Sequence, residues 1–481
     1  MQKKFVTNLA ILICLNLLIK PFWTLVIEPS VQLTVGNEAY GEYFALFNFS
    51  FLLNILLDFG ITNFNNKNIA QNNHLLEKHF SGLFLLKLIL GVVYIVVTIS
   101  IGLAVGYSTR YIKLLFLLGF NQFLISMLLY LRSNLLGLHA FKTDSIISVL
   151  DRFIMIGICG LLLWTNFIGA KIDVMNFVYA QTLAYTLATT LAFIVVVRKT
   201  EKFTISWNRP FWIMILKKSF PFAVLVLLMT FYNRLDSVMI ERFLPAGEGA
   251  TQAGIYAKGF RLLDAANMIA YLFSVQLLPI YSRMIKFKEN VENLVKLSFT
   301  LIITPAIIAT AVCWFYQKEL VELINHDKTE YAATIFSMLM TCFIAISTTY
   351  IFGTLLTANG NLNQLNTMAL IGISLNFLLN IILIPKFKAM GAAYSSLATQ
   401  FFTAGVQVFL TYKIFKFKVN FRLIVILILF ILGVIGAGVV STKFISGNYF
   451  IGMAVMCILS GIWALVTGLI SFKSIMRFMK Y

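Results

Sequence analysis

Charge is scarce in this chain. Asp, Glu, Lys and Arg make up 12% of its 481 residues, about half the share of a soluble domain. Acids are the rarer sign, 19 against 38 bases, which leaves a net charge of +19. Histidine and cysteine are rarer still. His74, His79, His139 and His326 fall in predicted loops or at helix ends, and Cys14, Cys159, Cys313, Cys342 and Cys457 lie scattered through apolar runs. That spacing offers neither a disulfide framework nor a metal site. No P-loop, His-Glu-x-x-His, Cys-x-x-Cys or G-x-S-x-G pattern occurs, so no catalytic residue, metal or cofactor is expected. A nucleotide-binding domain is missing too, so ATP hydrolysis by this chain is not expected.

What is present is apolar length. Sixty per cent of the residues are hydrophobic, and the mean hydropathy is +0.88. A hydrocarbon core about 30 Å thick needs about 20 apolar residues per helix. Runs of that kind predict spans at 7–29, 41–64, 81–106, 112–137, 145–165, 174–197, 219–241, 252–281, 294–316, 331–357, 363–385, 389–412, 422–442 and 448–471. The expected fold class is an all-α membrane protein with about 14 transmembrane helices. Met1-Gln2-Lys3-Lys4 precedes the first run, but no small-x-small cleavage site follows and the run contains Lys20-Pro21, so it reads as a retained helix. An even count puts both termini on one side. Lys and Arg of the inner segments outnumber those of the outer ones by more than two to one, so both termini are expected to be cytoplasmic. The basic excess is thus topological, and no nucleic-acid partner is expected.

The densest basic stretch, Arg198 to Lys218, separates two halves. The expected organisation is a six-helix lobe at 1–200, a cytoplasmic linker at 201–218, a second six-helix lobe at 219–416, and two extra C-terminal helices at 417–481. A weak repeat supports the division: Gly41-Glu42-Tyr43-Phe44 opens the second span, and Gly254-Ile255-Tyr256-Ala257 opens the eighth. Duplicated halves with a site at their interface are a common transporter plan.

Charges within the spans are the sharpest functional clue, because a lone ion at the bilayer centre costs at least about 3 kcal/mol and normally faces a bundle interior or wet cavity. The bases are Lys20, Lys87, Arg132, Arg152, Arg234, Lys258 and Arg261; the acids are Asp58, Asp151, Asp236 and Asp264. Lys258, Arg261 and Asp264 recur every third residue and share one broad helix face. Arg234 and Asp236, two apart, cannot point the same way. Arg and Lys suit a phosphate-bearing substrate, whereas Asp58, Asp236 and Asp264 are candidates for a coupling proton or sodium ion. Lys87, near a predicted helix end, is expected to snorkel outward. For Asp151-Arg152 a structural ion pair and a cavity role both stay open. Asn16, Lys20 and Thr24, the pair Asn54 and Asp58, and the pair Asn376 and Asn380 follow helical spacing and are read first as helix-to-helix glue.

Three motifs carry a family resemblance: Asn233-Arg234-Leu235-Asp236-Ser237 followed by Gly254-Ile255-Tyr256-Ala257 and Arg261-Leu262; Leu277-Leu278-Pro279-Ile280-Tyr281-Ser282-Arg283; and Asn376-Phe377-Leu378-Leu379-Asn380 through Pro385 to Gly391-Ala392-Ala393. In these the chain resembles the oligosaccharide flippases (Wzx-type), the polysaccharide transporter branch of the multidrug/oligosaccharidyl-lipid/polysaccharide exporter superfamily. Lys386-Phe387-Lys388-Ala389 departs from the Gly-containing turn often found there. The resemblance implies two lobes around a central cationic cavity that alternates between the membrane faces, with cavity charges at Arg234, Asp236, Lys258 and Arg261. Burial logic adds Arg132, Arg152 and Lys20.

The function expected on these grounds is translocation of an undecaprenyl-diphosphate-linked oligosaccharide, an O-antigen, capsule or exopolysaccharide unit, across the bacterial inner membrane. A proton or sodium gradient would drive it, and a polysaccharide polymerase complex would be a neighbour. The alternatives are a lipid II flippase or a cation-coupled drug exporter of the same superfamily, and an integral membrane glycosyltransferase or polymerase. A drug exporter for cations would favour buried acids, and here the bases are in excess.

Overall fold

The computed structural model describes residues 19, 21–62, 65, 69, 75–138, 140–165, 172–200, 207–417, 420–444 and 448–469. Among these every regular element is a helix: α1 (Glu28–Val35), α2 (Asn37–Leu52), α3 (Leu75–Ala104), α4 (Thr109–Gly137), α5 (Phe141–Trp164), α6 (Val174–Val197), α7 (Arg209–Phe243), α8 (Glu248–Lys286), α9 (Glu292–Phe315), α10 (Gln317–Asn325), α11 (Glu330–Ala358), α12 (Leu362–Phe387), α13 (Ala389–Phe415), α14 (Phe421–Phe444) and α15 (Tyr449–Val466). A π-helical turn, Trp23–Ile27, leads into α1, and a 3-10 turn, Asn54–Leu57, follows α2. Short polar side chains close several helix starts. Asp173 accepts the Asn176 backbone N–H, Asn208 accepts that of Phe211, and Asn448 accepts those of Phe450 and Ile451. These bonds satisfy donors that hydrocarbon cannot.

Among the described residues ten helices are long and apolar enough to cross a membrane, so this is a multi-pass membrane protein. They coincide with ten of the predicted spans. The other four differ for stated reasons. Most of span 7–29 lies outside the described residues. Span 41–64 is not one helix: α2 stops at Leu52, and the chain turns through Phe59 (φ 43°) and Gly60 (φ 79°). Span 252–281 lies within α8, a 39-residue helix about 58 Å long at 1.5 Å per residue, several of whose residues after Tyr271 have side chains outside the described set. Span 389–412 is α13, whose buried stripe of Ser395, Thr399, Thr403, Gln407 and Thr411 replaces aliphatic side chains. Small and hydroxyl-bearing residues of this kind let membrane helices approach closely.

The chain forms two compact units, Met1–Gly254 and Ile255–Tyr481, whose boundary falls within α8. In the first, α2 packs on α7, and α4 packs on α3, α5 and α6. One core cluster there joins Leu86, Leu131, Ala188, Ala192, Val196, Trp212 and Ile215. Residues 201–206 of the predicted linker lie outside the described residues, and from Arg209 onward the chain is already α7.

In the second unit α11 packs on α9 and α13, and α13 packs on α12. The α12–α13 connection is a single residue, Lys388, with φ 55°. That left-handed conformation favours glycine, yet here a lysine adopts it. A Cβ on Gly391, just beyond it, would strike the backbone of Leu383. The two last helices, α14 and α15, pack on each other and on α9 through Ile303, Ile307, Tyr316, Phe430, Val434 and Met456. There the Tyr316 hydroxyl donates to Ser441 Oγ at 2.9 Å.

Candidate substrate and ion sites

α8 buries two bases of the second unit. Lys258 is 6% and Arg261 5% exposed, while Asp264, one turn further, is half-buried. Lys258 Nζ donates to Asp327 Oδ2 at 2.6 Å. Asp327 lies in the short connection after α10, and its other oxygen, Oδ1, accepts the Thr329 backbone N–H at 2.9 Å and the Thr329 hydroxyl at 2.6 Å. Asp327 was not among the expected site residues. Its signal in the sequence is the Asp-x-Thr turn at a span boundary, which carries no mark of a partner sixty-nine residues away.

Burial opposes ionisation of Asp327, yet the Lys258 ammonium and the Thr329 donors outweigh it and hold the carboxyl below its ordinary pKa. A lowered folded pKa means that the stabilisation is complete above the unfolded value of about 4 and is lost as pH falls through the folded one. Asp327→Asn should therefore lower the melting temperature by the same amount at pH 6 and pH 8. The gap should close in acid near pH 3, as read by thermal unfolding in detergent.

In the first unit, the Arg234 guanidinium lies 5.1 Å from the Phe51 ring, and its Nη1 reaches Asn48 Oδ1 at 3.4 Å. Asn48 is itself anchored through Nδ2 to the Phe44 carbonyl. Asp236 is buried at 1% exposure. Both Arg234 and Asp236 come from the last turns of α7.

Arg132, from α4, grips Asp144 of α5 with its fork: Nε to Oδ1 at 2.8 Å and Nη2 to Oδ2 at 3.1 Å. Its two strongest donor directions are thus occupied by a carboxylate buried to 2% exposure. Arg152 pairs loosely with Asp151 at 3.8 Å and lies over two aromatic rings, Trp23 at 5.4 Å and Tyr185 at 5.9 Å. The Trp23 indole donates to Glu28 Oε1 at 2.7 Å, which brings a further acid into that group. Lys20 lies outside the described residues.

The expectation that Lys87 snorkels is corrected. Its side chain is 1% exposed, and its ammonium donates to Asp58 Oδ1 at 2.7 Å and to Ser126 Oγ at 2.7 Å. Helix α3 begins at Leu75, ahead of the predicted span, so Lys87 sits within the helix, buried against Asp58 and Ser126 of neighbouring elements. Asp58 also accepts the hydroxyl and backbone N–H of Thr62. The structure thus gives each of Lys87, Arg132, Arg152 and Lys258 an acid within its own unit.

With this geometry in hand, comparison with known proteins assigns the family. The family model described as "Polysaccharide biosynthesis protein" matches residues 5–285. No curated protein sequence matches the chain. Among solved structures, the lipid II flippase MurJ in an inward closed conformation superposes with a TM-score of 0.67 at 13% identity, covering 92% of this chain and 97% of that one. A multidrug resistance MATE family transporter of the MOP superfamily, inward-facing, gives 0.62 at 14% identity over 82% and 94%. An outward-facing MATE family transporter of that superfamily gives 0.55 at 15% over 86% and 96%. At these identities the likeness is one of fold, and the proteins that share it are a flippase and transporters, not enzymes. By the match over more than half its length, the chain belongs to the polysaccharide biosynthesis protein family, with the fold of the MOP superfamily transporters.

Proposed function

We propose that this protein flips an undecaprenyl-diphosphate-linked oligosaccharide, an O-antigen, capsule or exopolysaccharide unit, across the bacterial inner membrane by ion-coupled alternating access, with both termini cytoplasmic. The observation that carries the reading is the family match together with the two buried bases of α8, Lys258 and Arg261. A buried guanidinium is the group that best matches diphosphate oxygens, because its fork binds two of them at once. In this reading Arg234, Lys258 and Arg261 meet the diphosphate or an acidic sugar, and Asp236, Asp264 or Asp58 carries the proton or sodium ion. Arg132 and Arg152, already engaged by Asp144 and by the Trp23 and Tyr185 rings, hold helices in register. A polysaccharide polymerase complex is the expected receiver of the product.

The test is Arg261→Ala. Loss of charged hydrogen bonds worth about 1.5–3 kcal/mol each should reduce surface polysaccharide about ten- to a hundredfold at unchanged membrane abundance, and Arg261→Lys should restore part of it. A purely structural Arg261 gives a different pattern: abundance falls with export, and Asp264→Ala in the same chain brings it back. Normal export by Arg261→Ala ends the assignment. In proteoliposomes, flipping should collapse with a protonophore or on sodium removal and persist without ATP. Full-rate flipping with no ion gradient would make the protein a passive scramblase.

The MurJ-like fold favours one second reading, lipid II as the cargo. Complementation separates them: rescue of cells depleted of their lipid II flippase supports it, and rescue of an O-antigen or capsule flippase mutant supports the first.

A further inference from the structure

At the start of α7 a groove of ≈ 320 Å³ opens against α3, lined by Leu86, Ile89, Ile213 and Leu216, floored by Trp212 and headed by Trp207 and Arg209. It lies wholly within the first unit. Its floor is fixed, because the Trp212 indole donates to the Gly82 carbonyl at 2.9 Å and Trp212 is 6% exposed. Its head is open: Trp207 is 58% exposed and meets Trp212 edge-on at 4.8 Å, and the Arg209 guanidinium lies 5.5 Å from the Trp207 ring.

The groove joins an apolar lining to two tryptophans and a base. Leu86 and Ile89 belong to a membrane-crossing stretch, His79–Ala104, and Ile213 and Leu216 lie on the first turns of α7. Trp207, Arg209 and Trp212 gather at this end of the groove, and Trp and basic residues are the types that concentrate at a membrane interface. His79, at the head of that stretch, stacks on Phe211 at 4.4 Å. No carboxylate among the described residues pairs with Arg209. Exposed Lys217 follows on the same helix, and exposed Arg198 and Lys199 follow Val196, which shares a core cluster with Trp212. An apolar slot of this kind suits an acyl chain. A base with no paired carboxylate among the described residues, and further bases beside it, suit a phosphodiester that bears no ammonium of its own.

We propose that this groove is a lipid site, in which one acyl chain of an anionic phospholipid lies along Leu86, Ile89, Ile213 and Leu216 while Arg209 binds its phosphate. The site is separate from the bases assigned to the cargo, so it stands or falls independently of the flipping reaction. Bound there, an anionic lipid neutralises the base-rich end of α7 and ties that end to the leaflet facing the cytoplasm, where such lipids are enriched.

The experiment uses the full-length protein in vesicles containing a trace of phosphatidylglycerol or phosphatidylethanolamine with a photoreactive group on one acyl chain, and maps the labelled peptides. The expected result is labelling within 82–89 and 211–216 that favours phosphatidylglycerol about fivefold, the ratio for one basic group near the surface. Arg209→Ala should bring that ratio close to one, and Arg209→Lys should keep most of it. Ile213→Trp, at a 53% exposed position, should fill the slot and cut labelling by both lipids, with thermal unfolding confirming that the protein is folded. Equal labelling by the two lipids, a ratio unmoved by Arg209→Ala, or labelling unmoved by Ile213→Trp would each overturn the site. So would displacement of the probe by undecaprenyl phosphate but not by unlabelled phosphatidylglycerol, since the occupant would then be the cargo's own chain.

Discussion

Lys87→Met should unfold or deplete the protein, and Lys87→Met combined with Asp58→Asn should restore it. Lys87 has no water to fall back on at 1% exposure, and its ammonium holds Asp58 and Ser126 together across three elements of the first unit. Removing the base leaves Asp58, among the described residues, with Thr62 to donate to its carboxylate. Breaking one partner of a buried pair costs about 3–5 kcal/mol. Asp58 retains 27% exposure, so the low end of that range applies, about 3 kcal/mol or a more than hundredfold shift in the folded ratio. Neutralising both partners removes the orphaned charge and keeps the Thr62 contacts, so the double variant should melt within about 1 kcal/mol of the parent. Thermal unfolding in detergent reads the stability, and export reads the role of Asp58. A stable double variant that exports normally would take Asp58 out of the ion-coupling set. A stable one that does not export would assign it there.

The buried bases were legible because an ion inside an apolar run is conspicuous whatever surrounds it. Their acids were not. Asp144 meets Arg132 from the next helix, and Asp327 reaches Lys258 from a loop that hydropathy places outside the span. Spacing along one helix identifies neighbours on that helix alone, which is why Lys258 was grouped with Arg261 and Asp264 and not with Asp327. Lys87 was misread for a related reason. Hydropathy marks the apolar stretch, but α3 begins at Leu75, ahead of it, and a shift of a turn or two separates a snorkelling lysine from a buried one.

The same limits apply to the helices themselves. Long aliphatic runs such as Phe421–Phe444 declare themselves by hydropathy alone. By contrast α13 is read correctly as a span only if its Ser, Thr and Gln positions are counted as packing surface. The break after Leu52 was missed because Asn54–Leu57 and the residues around it are mostly apolar, and the positive φ angles of Phe59 and Gly60 leave no compositional trace. The Gly-x-Tyr repeat was the opposite case, a faint pattern with a definite physical cause.

That cause supplies the last prediction. Gly41 and Gly254, the first residues of the two repeats, meet within one contact of the first unit. A Cβ on Gly41 would run into the Ala250 carbonyl oxygen and lie 2.7 Å from the Gly254 backbone nitrogen, and a Cβ on Gly254 would run into the carbonyl of Asn37. Gln32, 2% exposed, seals the contact by donating to the Gly254 carbonyl at 2.8 Å and to Asn37 Oδ1 at 3.2 Å. Each obstacle is backbone, which cannot rotate aside as a flexible side chain would. Gly254→Ala should therefore force the start of α8 away from α2 and lose the Gln32 bond as well. Overpacking costs about 1–3 kcal/mol and a lost buried hydrogen bond about 1 kcal/mol more. Together they amount to a fall in melting temperature of about 4–16 °C, at about 2–4 °C per kcal/mol for a unit of this size. Gly157→Ala in α5 is the control, since nothing lies within 4 Å of the added methyl and its melting temperature should hold or rise slightly. If the Gly254 and Gly157 variants melt alike, the repeat is a coincidence of sequence and the close approach of α2 to α8 does not hold the unit together. If Gly254→Ala alone collapses, glycine is required there for want of room, and the repeat marks the two positions at which this contact was built.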